Sequence, residues 1–126
     1  MTNDSGLIVG IDIIKDIIKV SENCIKKNYK NLLDNENIIL VNGDGRKGYK
    51  KYAPYKVIHA GAAVETIPND LIEQLACGGR MFIPVGKIND QYICIVDKDV
   101  FGKITCQKIF QVKYGFLCNA EEQRGK

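Results

Sequence analysis

The rhythm of hydrophobic and polar positions changes along this chain, and each change predicts a different element. "LIVGID" (7–12) is a short apolar run closed by an acid, the pattern of a buried strand. From Ile13 to about Lys30 the step lengthens. Ile14, Ile17, Ile18, Ser21, Cys24, Ile25 and Tyr29 recur at three- and four-residue steps, with Lys15, Asp16, Lys19, Glu22, Lys26 and Lys27 opposite. That spacing predicts an amphipathic helix, which "LLDNEN" (32–37) ends with turn formers. A second strand is predicted at about 38–42, and "YKVIHAGAA" (55–63) predicts a third that runs into a small-residue turn. Pro68 opens a short helix, "NDLIEQLA", expected to stop at "CGG", where glycine supplies a positive φ. "RMFIPVG" (80–86) predicts a fourth strand, with Pro84 marking its end or an exposed position. The last third has no helical period. "QYICIVDK" (91–98), a turn around "DVFGK" and "ITCQKIFQVKYGFL" (104–117) predict an antiparallel hairpin whose second partner is bent or bulged.

Strands alternating with helices imply an α/β fold: a mostly parallel sheet covered by helices, with an antiparallel C-terminal hairpin. No repeat, low-complexity stretch or linker interrupts the pattern, so residues 1–126 are expected to form a single domain. A hydrophobic share of 45% fits a soluble domain with a real core. The net charge of +3 comes from dispersed lysines with only short pairs such as Lys26-Lys27 and Lys50-Lys51, which reads as solvated faces and not as a nucleic-acid site. No apolar stretch approaches the ~20 residues of a membrane span, and no signal-peptide pattern opens the chain. Cys24, Cys77, Cys94, Cys106 and Cys118 are scattered and form no C-x-x-C, which points to free thiols in a reducing cytoplasm, not to a disulfide framework or zinc site.

Ligands of open parallel sheets sit beyond the carboxyl ends of the strands. The first strand ends at Asp12, whose carboxylate suits both hydroxyls of a ribose and equally suits a cap for the following helix. The second ends in "VNGDGRKGY" (41–49). A phosphate cradle needs exposed N–H groups and no nearby anion, so Asp44 argues against one. Asp44 could instead accept from a neutral amine such as that of adenine, with the flanking glycines admitting a flat ring; on composition alone a plain turn is the better reading. His59 is the only histidine and has no ligand cluster around it in the sequence, so no metal site is expected. No Ser-His or Cys-His arrangement follows from spacing.

Taken together, "GLIVGID", "VNGDGRKGY", "APYKVIHAGAA", "IPNDLIEQLACGGRMFIPVG" and "VKYGFLCNAEEQ" resemble, in order and spacing, the protein-L-isoaspartate (D-aspartate) O-methyltransferases. The resemblance runs from about Gly6 to Gln123, and "GDGR-x-GY" joined to "APY-x-x-IH-x-GAA" is its most specific part. It implies a Rossmann-like class I methyltransferase sheet that binds S-adenosyl-L-methionine and releases S-adenosyl-L-homocysteine. It implies methylation of the carboxylate of isoaspartyl and D-aspartyl residues in damaged proteins, whose ester then cyclises to a succinimide that reopens partly to aspartate. By position, Asp12 matches the ribose-holding acid, Gly43 and Asp44 the adenine-side residues, and Cys118 and Gln123 two C-terminal cofactor contacts. The family usually has threonine where Cys118 stands, and a thiol is a weaker donor. Ile13 stands where relatives often have a polar residue, Lys56 replaces the aspartate of "APYD", and Gly115-Phe116 replaces Val-Pro near the substrate-facing strand.

The family's first strand and glycine loop, and the segment bearing its active-site serine, lie upstream of "GLIVGID". The chain therefore resembles the C-terminal portion of the enzyme, and no catalytic residue can be named in it. By family topology the missing strand lies between "LIVGID" and "KVIHAG", so a stable chain is expected to pair those two strands directly or to dimerise. Two further readings stand beside the enzyme: a non-catalytic fragment or pseudoenzyme acting as a binding or oligomerising module, and another Rossmann nucleotide binder, for which a G-x-G-x-x-G is lacking.

Overall fold

Residues 6–113 are described by the computed structural model, which divides them into two units, one ending at Gly45 and the other starting at Arg46. In the first, β1 (Ile8–Asp12) and β2 (Ile38–Asn42) pair in parallel, joined by α1 (Lys15–Asp34). The register sets Ile8 against Ile38 and Asp12 against Asn42, so both strands end level with one another.

Helix α1 starts two residues later than its periodicity suggests, because Ile14 stays extended (φ −95°, ψ 113°) and occupies the cap position. At its other end α1 continues past the expected Lys30. The dihedrals leave the helical region at Tyr29 (φ −133°, ψ 34°), where the apolar period also ends, and then resume. The Asn37 N–H donates to the Leu32 carbonyl (2.8 Å) and the Glu36 N–H to that of Leu33 (3.1 Å), with Glu36 at φ 58°. This is a Schellman closure with glutamate where glycine usually stands. None of residues 6–45 is buried; Val20 on α1 is 61% exposed.

The second unit is a four-stranded sheet in the order β3 (Tyr55–His59), β4 (Leu75–Lys87), β5 (Asp90–Lys98) and β6 (Ile104–Val112), preceded in sequence at β4 by α2 (Asn69–Gln74). β3 runs parallel to β4; β4, β5 and β6 are antiparallel. The expected α/β architecture is therefore present with parallel and antiparallel pairs mixed. The direct pairing of 7–12 with 55–63 is not formed, since β1 and β3 belong to different sheets.

The core is Val64, Leu71, Leu75, Met81, Ile83, Cys94 and Val96. Alternation places Met81 and Ile83 of β4 and Cys94 and Val96 of β5 on one face, beneath Leu71 and Leu75. Each fully buried aliphatic side chain contributes roughly 1.5–3 kcal/mol relative to exposure.

Three details differ from the sequence reading. Helix α2 stops at Gln74 because Leu75 is extended (φ −79°, ψ 128°) and pairs with Tyr55. Gly78 does have a positive φ (82°), but inside β4 and not at the helix end. Its neighbour Gly79 is required by close approach: a Cβ there would lie 2.7 Å from the Ala76 carbonyl oxygen and 2.9 Å from that of Lys56 on β3. Finally, Pro84 is buried within β4, opposite Ile93. Its carbonyl accepts from the Val64 N–H (3.0 Å), and its proton-free nitrogen faces the same side, between the His59–Phe82 pair and the Val64–Val85 bridge. The sheet has no ladder bond there for proline to break. The bulge expected in the last strand is present: Ile93 pairs with Phe110 and Cys94 with Lys108, leaving Ile109 without a cross-strand partner.

Candidate functional site

Parallel strands bring the sites at their carboxyl ends together, and here Asp12 and Asn42 are directly opposed. The Gly43 N–H donates to the Asp12 carbonyl (2.9 Å). The Asn42 Nδ2 group donates to the carbonyls of Asp12 (3.0 Å) and Ile13 (3.0 Å). These bonds fix the backbone on either side of both strand ends, so Asp12 and Gly43 hold a set relation, with Asp44 next in the chain.

The Asp12 Oδ1 atom accepts from the Ile14 N–H at 2.8 Å. Asp12 thus shapes the entry to α1 through a local turn, two residues before the cap position of Ile14. A carboxylate has about four acceptor positions on two oxygens, so this bond leaves capacity for a ligand hydroxyl. The expected helix-cap role of Asp12 is not observed, since Ile14 holds the cap position.

Gly43 has no positive φ. A Cβ added to it would meet Ile11 Cδ1 at 3.4 Å and Val41 Cγ1 at 3.7 Å, which are ordinary contacts. Among the described residues, neither the backbone nor the packing demands glycine at this position. A residue kept small without an internal need suits close approach by something outside the chain. Asp44 is half-buried, and the chain then enters a short 3-10 turn, Gly45–Lys47.

The donor set can be tested against the implied cofactor. Two carboxylates at neighbouring strand ends accept hydrogen bonds and repel anions, which excludes a phosphate cradle. They suit ribose hydroxyls and an exocyclic amine, the groups a nucleoside-bearing sulfonium such as S-adenosyl-L-methionine presents on that side. The residues present fit such a group. Cys118 and Gln123, expected as further contacts, lie outside the described residues. His59 is exposed at the end of β3, and no group of three metal-binding side chains occurs among the described residues.

Sequence reading missed two residues. Asn42 reads in the sequence only as the end of a strand; its register with Asp12 exists only in the folded pair. Gln74 reads in the sequence only as part of a short helix, yet its side chain is almost completely buried (3% exposed). Within the second unit its Oε1 accepts from the Tyr49 N–H (2.8 Å) and its Nε2 donates to the Lys47 carbonyl (2.9 Å). The Tyr55 hydroxyl donates to the Tyr49 carbonyl, and burial raises its pKa above the ordinary phenol value. The "RKGY" part of the motif is therefore held by the side chains of Gln74 and Tyr55.

The chain resembles known proteins in both sequence and fold. The family model for protein-L-isoaspartate(D-aspartate) O-methyltransferase matches residues 1–122. A protein-L-isoaspartate O-methyltransferase of Caenorhabditis elegans is 37% identical over 123 residues, covering 98% of this chain and 55% of the relative. Protein-L-isoaspartate O-methyltransferase 2 of Arabidopsis thaliana is 38% identical over 126 residues, covering 99% of this chain and 40% of the relative. The chain spans about half the length of the curated relatives it matches. Among solved structures, one described as a protein-L-isoaspartate O-methyltransferase from Plasmodium falciparum in complex with S-adenosyl-L-homocysteine superposes with a TM-score of 0.77 at 22% identity, covering 89% of this chain and 52% of that one. That likeness establishes the fold.

Proposed function

Because the chain belongs to the protein-L-isoaspartate(D-aspartate) O-methyltransferase family, we propose that it forms the adenosine-binding side of a methyltransferase domain spanning residues 1–126. The domain transfers a methyl group from S-adenosyl-L-methionine to the carboxylate of isoaspartyl and D-aspartyl residues in damaged proteins. One observation carries the reading: Asp12, Gly43 and Asp44 follow one another around the level carboxyl ends of a parallel strand pair, tied by Asn42 and the Gly43 N–H. In this role Asp12 accepts from the ribose hydroxyls, Gly43 lets the ring lie close to the backbone, and Asp44 accepts from the adenine amine. Cys118 and Gln123 complete the contacts. The cofactor supplies an activated methyl group; orientation and electrostatics carry the transfer, with no metal or nucleophilic side chain required. The repair reading places the protein in the cytoplasm, with isoaspartyl proteins and peptides as substrates.

The test is incubation of the chain with an isoaspartyl peptide and methyl-labelled S-adenosyl-L-methionine. Base-labile label on the peptide, absent from the aspartyl control, supports the full reaction. Cofactor binding without label would leave the chain a binding module and remove the enzymatic reading.

One observation favours dimerisation as a further property. No residue between 6 and 45 is buried, although α1 carries an apolar face on which Ile17 is 46% exposed. Sedimentation velocity would show a dimer at micromolar protein; a monomer throughout would exclude it.

A further inference from the structure

Cys94 and Cys106 take no part in the site described above, and they lie together on β5 and β6. The register sets Cys94 opposite Lys108 and Val96 opposite Cys106. Cys94 and Cys106 are therefore diagonal neighbours on the same face of one antiparallel pair. Cys94 is buried, 2% exposed, against the core, while Cys106 is exposed. The two side chains are near enough for Cys106 to raise the Cys94 pKa. β6 is the last strand of its sheet, exposed along most of its length, so an oxidant reaches Cys106 directly.

We propose that Cys94 and Cys106 form a reversible disulfide that ties the edge strand β6 to β5. A disulfide needs Cα atoms within about 4.4–6.8 Å, whereas diagonal sheet neighbours stand at about 7–8 Å. The strands must close slightly for the bond to form. The bulge at Ile109 gives β6 local freedom to do so. A bond made by pulling two strands together is easily reduced, so the site behaves as a labile pair and not as a structural staple.

The chemistry balances with glutathione disulfide as the oxidant. The Cys106 thiolate attacks one sulfur of glutathione disulfide; that S–S bond breaks and one glutathione thiolate leaves. Cys94 then loses its proton and attacks the Cys106 sulfur, and the second glutathione departs. Two protein thiols lose two electrons and two protons, and one glutathione disulfide becomes two glutathione molecules. The order follows from exposure and acidity. Burial, together with the neighbouring Cys106, pushes the Cys94 thiol up to about 11, against the Lys108 ammonium, which lowers it. Once Cys106 is a mixed disulfide its contribution is gone, leaving burial opposed by Lys108, and Cys94 becomes the better resolving thiol.

The sequence makes the test direct, because trypsin cuts at Lys98 and Lys103, between the two cysteines. The full chain is incubated with glutathione disulfide under native conditions, its remaining thiols are alkylated, and the digest is analysed without reductant. The expected product is peptide 88–98 joined to peptide 104–108, lighter by two hydrogens than their sum and separated by dithiothreitol. Cys106→Ser, a change at an exposed position, abolishes it. In the oxidised protein the amides of 104–112 exchange with solvent at least tenfold more slowly. Glutathione adducts on Cys106 with no joined peptide, or scattered pairings with Cys24, Cys77 or Cys118, overturn the proposal.

Discussion

The side-chain amide of Gln74 occupies the space that a Cβ on Gly48 would need. Gly48 sits at φ 61°, and the amide bonds the residues on both sides of it, Tyr49 and Lys47. Gly48→Ala therefore meets two obstacles, a strained backbone and a filled space. It should lower stability by about 1–3 kcal/mol in urea denaturation. Gln74→Ala leaves a backbone donor and acceptor without their partner and should lose a similar ~1–3 kcal/mol. Since the second change removes the obstacle to the first, the double variant should lose less than the sum. Strict additivity would show that the two residues do not act as a pair.

Glu36 closes α1 with a left-handed backbone at φ 58°. Non-glycine residues are disfavoured there by roughly 1–2 kcal/mol. Glu36→Gly should relieve this and raise stability by about 1 kcal/mol, seen as a higher urea midpoint with an unchanged slope. A lower midpoint would mean that the glutamate side chain contributes more than its backbone costs.

Arg80 and Asp97 face each other across β4 and β5, with Nε to Oδ1 at 2.7 Å and Nη2 to Oδ2 at 3.2 Å. The hydrogen bond from Arg80 holds the Asp97 carboxyl below its ordinary value. The stabilisation this gives is complete above the ordinary carboxylate range and is lost as pH falls through the lowered folded value. Both groups are solvent-exposed, so salt screens the effect. Unfolding free energies of the wild type and Asp97→Asn should differ at neutral pH and converge in acid, and the difference should shrink in high salt. A gap that persists in acid would assign the effect to something other than the ion pair.

Elements with a clear local period were readable from sequence. β2 was placed at Ile38–Asn42 and observed there, and the turn around Asp99 forms as expected, with its Oδ1 accepting from the Phe101 and Lys103 N–H groups. Boundaries set by distant partners were not readable. The end of α2 depends on Leu75 pairing with Tyr55, and the burial of Pro84 depends on a gap between the His59 and Val64 pairings on β3's side of β4. The same division holds at the candidate site. Asp12, Gly43 and Asp44 were singled out by the family resemblance, since by residue type alone they suit a cap and a plain turn equally well or better. Asn42 was not, because its value lies in a cross-strand register that only the folded pair creates.

Gly43→Ala separates fold from ligand. Among the described residues the added methyl meets only ordinary contacts, 3.4 Å at the nearest, so the urea midpoint should move by less than about 0.5 kcal/mol equivalent. Affinity for S-adenosyl-L-homocysteine should fall about tenfold or more, since a ring held against the backbone loses that contact. Unchanged affinity would remove Gly43 from the pocket.

The central claim is that the carboxyl ends of β1 and β2 hold the adenosine part of the cofactor. Calorimetric titration of S-adenosyl-L-homocysteine into the chain and into Asp44→Ala tests it most directly. The account predicts saturable binding that the substitution weakens roughly 10–100-fold, the equivalent of a charge-assisted hydrogen bond of ~1.5–3 kcal/mol, in a variant with the same circular dichroism. Folded protein that gives no heat, or equal affinity in the two proteins, would contradict it.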